Sequence, residues 1–547
     1  MARDLLSGGI KPDRPHMSMP RSTYLLRVSE WALLACGTPG RLHLGMNDRF
    51  RKRRKYGKAA VGATGYVLAG VVMVGVIAVA RPLLAVLKLS GTDAVQCQCW
   101  ILALVGVWCL CSWKHFNGSL LHPYILLFCS AFAFHGSLAV LQILRLERYG
   151  VLDGRFSVET VADTLALVSI CIASLHLGAL LGMRAGWISS RTRGQGDYSV
   201  GTARLLAMGM FLVAAVPTII TLTKNVSLVH SQGYFALYQV EPATGLGAVH
   251  RVVGGFFVPA LLYIVALSQK QRTWVTLALG AIAGFSLVTL YIGGRSPAAV
   301  VLVSTAWLVE RRIRRIPRSA LIAGAIGVLA VFALVRTIRT VPGSERLSLT
   351  VLRREFAAVE HPVVGALAEI GGTMHIVSYV LELVPAIRPF EGGGTYLRAL
   401  SALFPNIGWQ LHPAVAGGTP SQWLIETVDP FTAAAGGGLG FSFIAEAYLN
   451  FGWFGSPIVM LTLGLFWGML CRWGDQPGDP LRLAMLAGAM AMSLTLVRND
   501  STGAFRGLVW YCFAPYIILR YLARGKAPGH RRTTSVPRAR SVFQGTP

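Results

Sequence analysis

Charged residues are scarce in this chain, and their scarcity excludes most classes of protein. Only 14% of the 547 residues are charged, whereas a soluble globular chain carries about 25%. Apolar residues make up 54% of the sequence, and uncharged apolar runs of about 18 residues or more recur along it. Soluble cores cannot hide that much apolar surface. The composition excludes a soluble enzyme, a secreted disulfide scaffold and a disordered chain, and it predicts an all-α polytopic membrane protein.

Signal-peptide and metal-site patterns are also missing. The first 58 residues are charged and lack the apolar core of about 7–15 residues that a cleavable signal peptide needs. Among the nine cysteines, Cys97 and Cys99 are two positions apart, as are Cys109 and Cys111, so neither pair has the C-x-x-C spacing of a zinc or redox site. There is no H-E-x-x-H motif and no P-loop. We therefore expect no metal and no cofactor.

Positive charge is abundant, and its distribution identifies the partner. The formal net charge is +27, from 51 Lys and Arg against 24 Asp and Glu. Most of the excess lies in short blocks beside hydrophobic runs, where basic residues set membrane orientation and contact anionic headgroups. This distribution favours membrane lipids as partners and argues against nucleic acid.

The apolar runs and their basic flanks predict about twelve transmembrane helices. The expected spans are 59–80, 95–113, 119–144, 160–183, 202–222, 251–268, 275–293, 297–309, 319–337, 453–471, 482–497 and 508–523. Connections after even-numbered spans are the basic ones, and so are the segments before the first span and after the last. By the positive-inside rule, both termini are cytoplasmic.

The spans divide the sequence into five segments. We expect a basic cytoplasmic segment at 1–58 with an amphipathic helix, nine helices at 59–337, a large outward-facing loop at 338–452, three helices at 453–523, and a basic disordered cytoplasmic tail at 524–547. The loop lies between the ninth and tenth spans. Within it, 363–384 is apolar enough for a further span, but it contains Glu369, His375 and Glu382, which are costly at mid-bilayer. A further crossing would also move the basic tail outside, so we predict an interfacial helix there.

Arginine lies at helix ends where the positive-inside rule expects little of it. The outward ends carry Gly293-Gly-Arg-Ser-Pro297, Arg336 and Arg339, and the segment from Arg498 to Arg506. A guanidinium offers a fixed fork of donors that matches phosphate oxygens. The cluster predicts a diphosphate site formed by Arg295, Arg336, Arg339, Arg498 and Arg506. The alternative is that these side chains extend to the interface or pair with Asp500 and the glutamates of the loop.

A general base for such a site needs a carboxylate or imidazole near water. The outward loop offers several such groups, among them Glu369, His375 and Glu446. Spacing does not choose between these three, which stay open as catalytic candidates.

Several short sequences resemble a known family. They are Gly293-Gly-Arg-Ser296, Glu369-Ile-Gly-Gly-Thr373, Phe404-Pro-Asn-Ile-Gly408, the run from Gly440 to Gly452, and Arg498 to Arg506-Gly507. Together with the layout of spans and loop, they resemble the Wzy-type O-antigen and capsule polymerases of bacteria. The resemblance covers about residues 60 to 523, and the N-terminal segment and the tail fall outside it.

The resemblance implies an enzyme of the bacterial cytoplasmic membrane whose active site faces the periplasm or the exterior. Such a polymerase moves a growing glycan from polyprenyl diphosphate to the next lipid-linked repeat unit, without metal and with external arginines on the diphosphate. Donor and acceptor would both be polyprenyl-diphosphate-linked oligosaccharides, and a chain-length regulator would be a further partner.

Two other functions stay open at the level of sequence. An O-antigen ligase would share the arginines and the large loop, although the run from Gly440 to Gly452 favours a polymerase. A flippase for the same lipid-linked units would show paired halves, short loops and charges along the membrane interior. The single long loop and the arginines at helix ends favour a transferase.

Overall fold

The computed structural model describes residues 48–87, 91–146, 150–185, 198–239, 245–341, 345–346, 348–357, 361–404, 412 and 418–524. The predicted amphipathic helix and residues 525–547 of the predicted C-terminal tail lie outside these residues. The chain divides into two compact units, 1–58 and 59–547. All the candidate site residues belong to the second unit.

Every secondary-structure element in the described residues is helical. The helices that precede the outward loop are α1 (Asp48–Val86), α2 (Gly91–Asn117), α3 (Pro123–Ile143), α4 (Val158–Arg184), α5 (Val200–Gln232), α6 (Gly245–Gly254), α7 (Phe257–Leu267), α8 (Arg272–Ile292), α9 (Arg295–Arg312) and α10 (Arg318–Thr340). Then follow α11 (Leu349–Ala357), α12 (Pro362–Gly371), α13 (Thr373–Leu383), α14 (Gly394–Ser401), α15 (Pro420–Val428), α16 (Pro430–Ala434), α17 (Phe443–Gly474), α18 (Pro480–Ala491), α19 (Ser493–Arg498), α20 (Ser501–Leu508) and α21 (Ala514–Leu522). A 3₁₀ turn at Tyr234–Tyr238 and a π-helical stretch at Val509–Phe513 complete the described elements.

The prediction of an all-helical polytopic membrane protein is confirmed, with a different set of spans. By length and composition, eleven helices of the described chain can cross a membrane. The predicted spans 297–309 and 508–523 are not among them. Helix α9 carries charged residues at both ends, and the second segment is interrupted by the π-helical stretch before Pro515. Val363–Leu383, which we expected at the interface, has the length and hydropathy of a span.

Contacts between helix ends define two ends of the helical bundle. Arg472, in the last turn of α17, donates to the carbonyl oxygens of Met183 (3.0 Å) and Arg184 (2.8 Å) at the end of α4. Arg311, in the last turn of α9, pairs with Asp475 just after α17. The C-terminal ends of α4, α9 and α17 therefore lie together. We call this the basic end, and it is the end that the positive-inside rule assigns to the cytoplasm.

The segment formed by α12 and α13 contacts the opposite end at two places. Glu369 pairs with Arg295, the first residue of α9. Glu382 accepts a hydrogen bond from Thr160, in the first turn of α4 (2.9 Å). Because α4 and α9 both finish at the basic end, both contacts lie at the other one. These two contacts favour a segment that enters and leaves at the end opposite the basic end. Its assignment as an interfacial helix stays a prediction.

Glycines bring the backbones of α4 and α17 together in the most extensive helix contact of the chain. Gly178 and Gly182 on α4 face Gly464 and Gly468 on α17, each pair spaced four residues apart. A Cβ on Gly178 would overlap the carbonyl oxygen of Leu461 on the facing helix. Spacing of small residues every four positions allows this close approach in membrane helices. This glycine contact holds the C-terminal half of α4 against the C-terminal half of α17, near the basic end.

Substituting Gly178 on α4 or Gly464 on α17 should destabilise the protein. We expect Gly178→Ala and Gly464→Ala each to lower the free energy of unfolding by about 1–3 kcal/mol, because the added methyl group forces the helix backbones apart. The measurement is the apparent melting temperature of the purified protein in detergent. Gly280→Ala on α8 is the control, since nothing lies within 4 Å of a Cβ there. Equal melting temperatures for all three variants would contradict this packing.

Candidate functional site

A tight turn between α8 and α9 places Arg295. Gly293 ends α8 with φ 105°, a left-handed conformation that favours glycine, and its N–H bonds to the carbonyl of Leu290 (3.0 Å). A Cβ on Gly293 would also overlap the ring of Tyr234. The turn lets Arg295 begin α9 with its side chain only 2% exposed. The Gly-Gly sequence therefore fixes a buried guanidinium at the end opposite the basic end.

Glu369 is the counter-ion of this guanidinium. Arg295 Nη1 donates to Glu369 Oε2 at 3.1 Å, and Arg295 Nη2 makes a second, shorter bond to Oε1. Arg339 Nη1 lies 3.8 Å from the same oxygen. One carboxylate is thus shared by two guanidinium groups. These contacts hold Glu369 against the two guanidinium groups, and its catalytic role stays a prediction.

Arg339 is held by the α8–α9 turn and by an aromatic ring. Its Nε and Nη2 donate to the carbonyl oxygen of Gly293 at 3.0 and 2.7 Å. Its Cζ lies 4.4 Å from the centroid of the Tyr234 ring, in cation–π geometry. Burial, together with the hydrogen bond to the Tyr238 hydroxyl, raises the pKa of Tyr234 to about 12. Tyr234 is therefore a neutral platform for the arginine at ordinary pH.

Arg498 joins the group from a third helix. It ends α19, and its carbonyl oxygen accepts the N–H of Phe441 (2.9 Å). Its guanidinium lies 5.6 Å from the centroid of the Phe134 ring, and its charge interacts with those of Arg295, Arg339 and Glu369. We call Arg295, Arg339 and Arg498 the arginine cluster.

A cavity of about 790 Å³ opens beside this cluster. Its polar lining includes Ser296, Arg339, Gln422, Glu426, Arg498 and Asn499. Its apolar lining comes from the interiors of α7, α8, α9 and α18, and includes Val258, Leu262, Phe285, Val301 and Ala491. The volume is that of a small-molecule site. Such a cavity suits a ligand with an anionic head and an apolar tail.

Sequence reasoning did not identify Arg346, which lies close to the cluster. Its side chain is 1% exposed, and it donates to the carbonyl oxygens of Val341 (3.2 Å) and Tyr291 (3.1 Å). Within the described residues its Nη2 is buried without a hydrogen-bond partner. Its charge interacts with that of Arg339. In the sequence it is one basic residue of a long loop, and only the contact with the end of α8 distinguishes it.

His375 lies away from the cavity. It is buried, with Nε2 3.6 Å from Asp153 Oδ2 and Nδ1 3.4 Å from Arg155 Nη1, and its ring packs on that of Phe156. It is not among the residues that line the cavity. Through these contacts α13 meets the segment that precedes α4, and the catalytic role of His375 stays a prediction.

Glu446 belongs to a different buried cluster. It is 2% exposed and accepts hydrogen bonds from Thr395 Oγ1 (2.8 Å), Ser501 N (2.8 Å) and Ser501 Oγ (2.7 Å). It borders a second cavity, of about 820 Å³ and almost entirely apolar. Glu446 thus ties α14 and α20 to the first turn of α17 and does not line the first cavity.

Of the predicted site residues, the structure brings together Arg295, Arg339, Arg498 and Glu369. Arg506 is exposed on α20 and does not line the cavity, and the side chain of Arg336 lies outside the described set. Among the described residues no three His, Cys, Asp or Glu side chains are grouped to hold a metal ion. The roles of all these residues, and the absence of metal and cofactor, stay predictions.

Removing the charge of Glu369 should weaken both the fold and the site. We expect Glu369→Gln to lower the free energy of unfolding by about 1–3 kcal/mol, because it leaves the buried Arg295 without its anion. The measurement is the melting temperature in detergent, with Glu355→Gln as the control, since Glu355 pairs with the exposed Arg354 away from the cavity. An unchanged melting temperature for Glu369→Gln would show that the pair does not hold Arg295.

Comparison with known proteins identifies the family of this chain. The model of a family described as O-antigen polysaccharide polymerase Wzy matches residues 72–524, most of the chain and all the residues of the site. No curated protein and no solved structure matches significantly. The resemblance seen in the short sequence motifs is therefore confirmed. The chain belongs to the O-antigen polysaccharide polymerase Wzy family.

Proposed function

We propose that this protein polymerises lipid-linked oligosaccharide repeat units by transferring the growing glycan from a polyprenyl diphosphate to the next unit. Family membership supports polymerisation of O-antigen polysaccharide in general. The observation that carries the finer proposal is the cavity, with Arg339 and Arg498 at its polar part and helix interiors around the rest. Its two kinds of lining match the diphosphate and the first isoprene units of such a carrier.

The arginine cluster supplies what this transfer needs. When the bond from the sugar to the diphosphate breaks, negative charge develops on the leaving oxygen. Preorganised guanidinium groups stabilise that charge more strongly in the transition state than in the ground state, and this difference lowers the barrier. They provide the positive charge that a divalent cation supplies in other transferases, so we propose a metal-independent reaction.

The position of the cluster supports an outward-facing site in the bacterial cytoplasmic membrane. Arg295 begins α9, and the other end of α9 lies at the basic end, where Arg311 pairs with Asp475. The positive-inside rule assigns that basic end to the cytoplasm. Donor and acceptor carriers would then reach the cavity from the outer leaflet. A chain-length regulator stays a predicted partner.

Neutralising either arginine of the cavity should abolish most of the activity. We expect Arg339→Ala and Arg498→Ala each to lower the rate of polymer formation by about 100-fold or more, the usual effect of removing one preorganised donor from a transition state. Arg498→Lys should recover little, because an ammonium lacks the planar fork. The assay is chain elongation by membranes supplied with lipid-linked repeat units extracted from a strain lacking the gene.

The control for these variants is Arg354→Ala, which removes an exposed arginine of α11 that pairs with its neighbour Glu355. It should elongate chains at the wild-type rate. Addition of EDTA should leave elongation by the wild-type protein unchanged. Normal elongation by both cavity variants at equal protein levels would contradict the proposed role of the cluster.

Deletion of the gene, followed by gel profiling of surface and lipid-linked polysaccharide, tests the function itself. We expect long chains to be lost while single repeat units are still exported. Full-length polymer left on its carrier lipid would indicate a ligase instead. Loss of all surface glycan, with units held on the inner leaflet, would indicate a flippase. Either of these two results would overturn the proposal.

A further inference from the structure

The reaction proposed above needs a group that takes the proton from the attacking hydroxyl, and three candidates from the sequence do not line the cavity. Glu369 is engaged by two arginines, Glu446 by hydroxyl and backbone donors, and His375 lies beside Asp153. Among the cavity-lining residues that the structure describes, the sole carboxylate belongs to Glu426, and no histidine is present. Resting on the proposed function, we infer that Glu426 is the general base for the acceptor sugar.

One face of helix α15 carries this carboxylate into the cavity. The lining residues of α15 are Ser421, Gln422, Ile425 and Glu426. Residues four apart lie on the same side of a helix, so 421 and 425, like 422 and 426, form a single face. Three of the four side chains are polar. This face is therefore suited to a sugar, whose hydroxyls need hydrogen-bond partners. The apolar residues of α7, α8, α9 and α18 that line the rest of the cavity suit a lipid tail.

Both sides of α15 are anchored, which fixes the carboxylate relative to the arginines. Ser421 Oγ donates to Asp500 Oδ2 at 3.1 Å, and Asp500 is two residues after Arg498. On its other side, the Trp423 ring lies 4.6 Å from the Cζ of Arg388. A base held on a rigid element in this way keeps the geometry that proton transfer requires.

Arg388, which lies against Trp423, is itself held by an ion pair with Glu391 that persists at neutral pH. Arg388 Nε donates to Glu391 Oε1 at 3.1 Å, and Arg398 Nη2 donates to Oε2 at 3.0 Å. Partial burial opposes ionisation of Glu391, but the hydrogen bonds and charges of Arg388 and Arg398 lower its pKa below the usual value. Glu391 is therefore ionised, and Arg388 stays in place above Trp423.

Glu426 is oriented by a neutral donor and keeps access to water. Gln422 Nε2 donates to Glu426 Oε1 at 2.9 Å, and the side chain of Glu426 is exposed. An amide N–H donor orients the carboxylate and leaves its second oxygen available to an acceptor hydroxyl. This environment differs from that of Glu369, where guanidinium groups hold both oxygens.

The step balances with the groups already named. The acceptor hydroxyl gives its proton to the Glu426 carboxylate as its oxygen attacks the anomeric carbon of the donor glycan. A new glycosidic C–O bond forms, the bond from that carbon to the diphosphate oxygen breaks, and the electron pair leaves with the polyprenyl diphosphate. The arginine cluster stabilises the leaving group, and Glu426 returns its proton to water. No oxidant, reductant or metal is required.

The test compares Glu426→Gln with the wild-type protein, using purified enzyme in nanodiscs and repeat units extracted from the deletion strain. Loss of a general base lowers kcat by about 10²- to 10⁴-fold, whereas KM for the lipid-linked unit should change little because the arginines are intact. Glu355→Gln is the matched control and should retain wild-type kcat. A Glu426→Gln enzyme with kcat within about threefold of wild type overturns the assignment.

Chemical rescue separates catalysis from a structural effect. In Glu426→Ala, formate added to the assay should restore elongation by about tenfold or more, because a small carboxylate can replace the missing group as the base. Formate should not rescue Arg498→Ala. If formate fails to rescue Glu426→Ala, Glu426 acts only structurally and the inference is wrong. If only Glu426→Gln elongates normally, the proposed function stands and another group is the base. If the wild-type protein itself does not elongate chains, the proposed function fails, whatever the variants do.

Discussion

The ion pair between Arg295 and Glu369 joins the parts of the chain on which the site depends. Arg295 follows the α8–α9 turn, and Glu369 belongs to the apolar segment of the outward loop. A buried guanidinium without a countercharge is strongly unfavourable, so the position of the loop segment and the presence of the arginine require each other. The same carboxylate reaches Arg339 at 3.8 Å, and Arg339 in turn binds the carbonyl oxygen of Gly293. One glutamate therefore orders two helix ends and the loop that covers them.

The cavity next to this ion pair has both a cationic and an apolar lining. Its cationic side chains come from helix ends, and the carbonyl oxygen of Gly293 holds the guanidinium of Arg339. Its apolar lining comes from the interiors of neighbouring helices, so an amphiphilic ligand finds both kinds of surface in one cavity. In the described part of the chain, Glu369 pairs with Arg295 and Arg339, and Arg498 lies near all three, so the cluster favours an anion with several oxygens. Helix α15 adds the polar face that a sugar needs.

The sequence predicts the class of fold, and three of the five arginines it singles out lie together in the structure, whereas it does not single out the carboxylate that lines the cavity. Arginine at an outward helix end is unusual in itself, so Arg295, Arg339 and Arg498 can be found without tertiary information, and so can Glu369 as a costly charge in an apolar segment. Which carboxylate faces the cavity depends on how the helices pack in space. Hydrogen bonds from Thr395 and Ser501 engage Glu446, whereas Glu426 looks like an ordinary loop glutamate until α15 forms. Hydropathy likewise could not foresee the π-helical stretch that interrupts 508–523.

Direct binding of the carrier lipid tests the central claim, that the arginine cluster holds a diphosphate at the end of an apolar cavity. The purified protein can be titrated with undecaprenyl diphosphate and with undecaprenyl monophosphate by native mass spectrometry. We predict that the diphosphate binds about tenfold more tightly, because a second phosphate adds charge-assisted bonds to the guanidinium groups, and that Arg339→Ala and Arg498→Ala remove this preference. Equal binding of the two lipids to the wild-type protein, or an unchanged preference in both variants, would contradict the account.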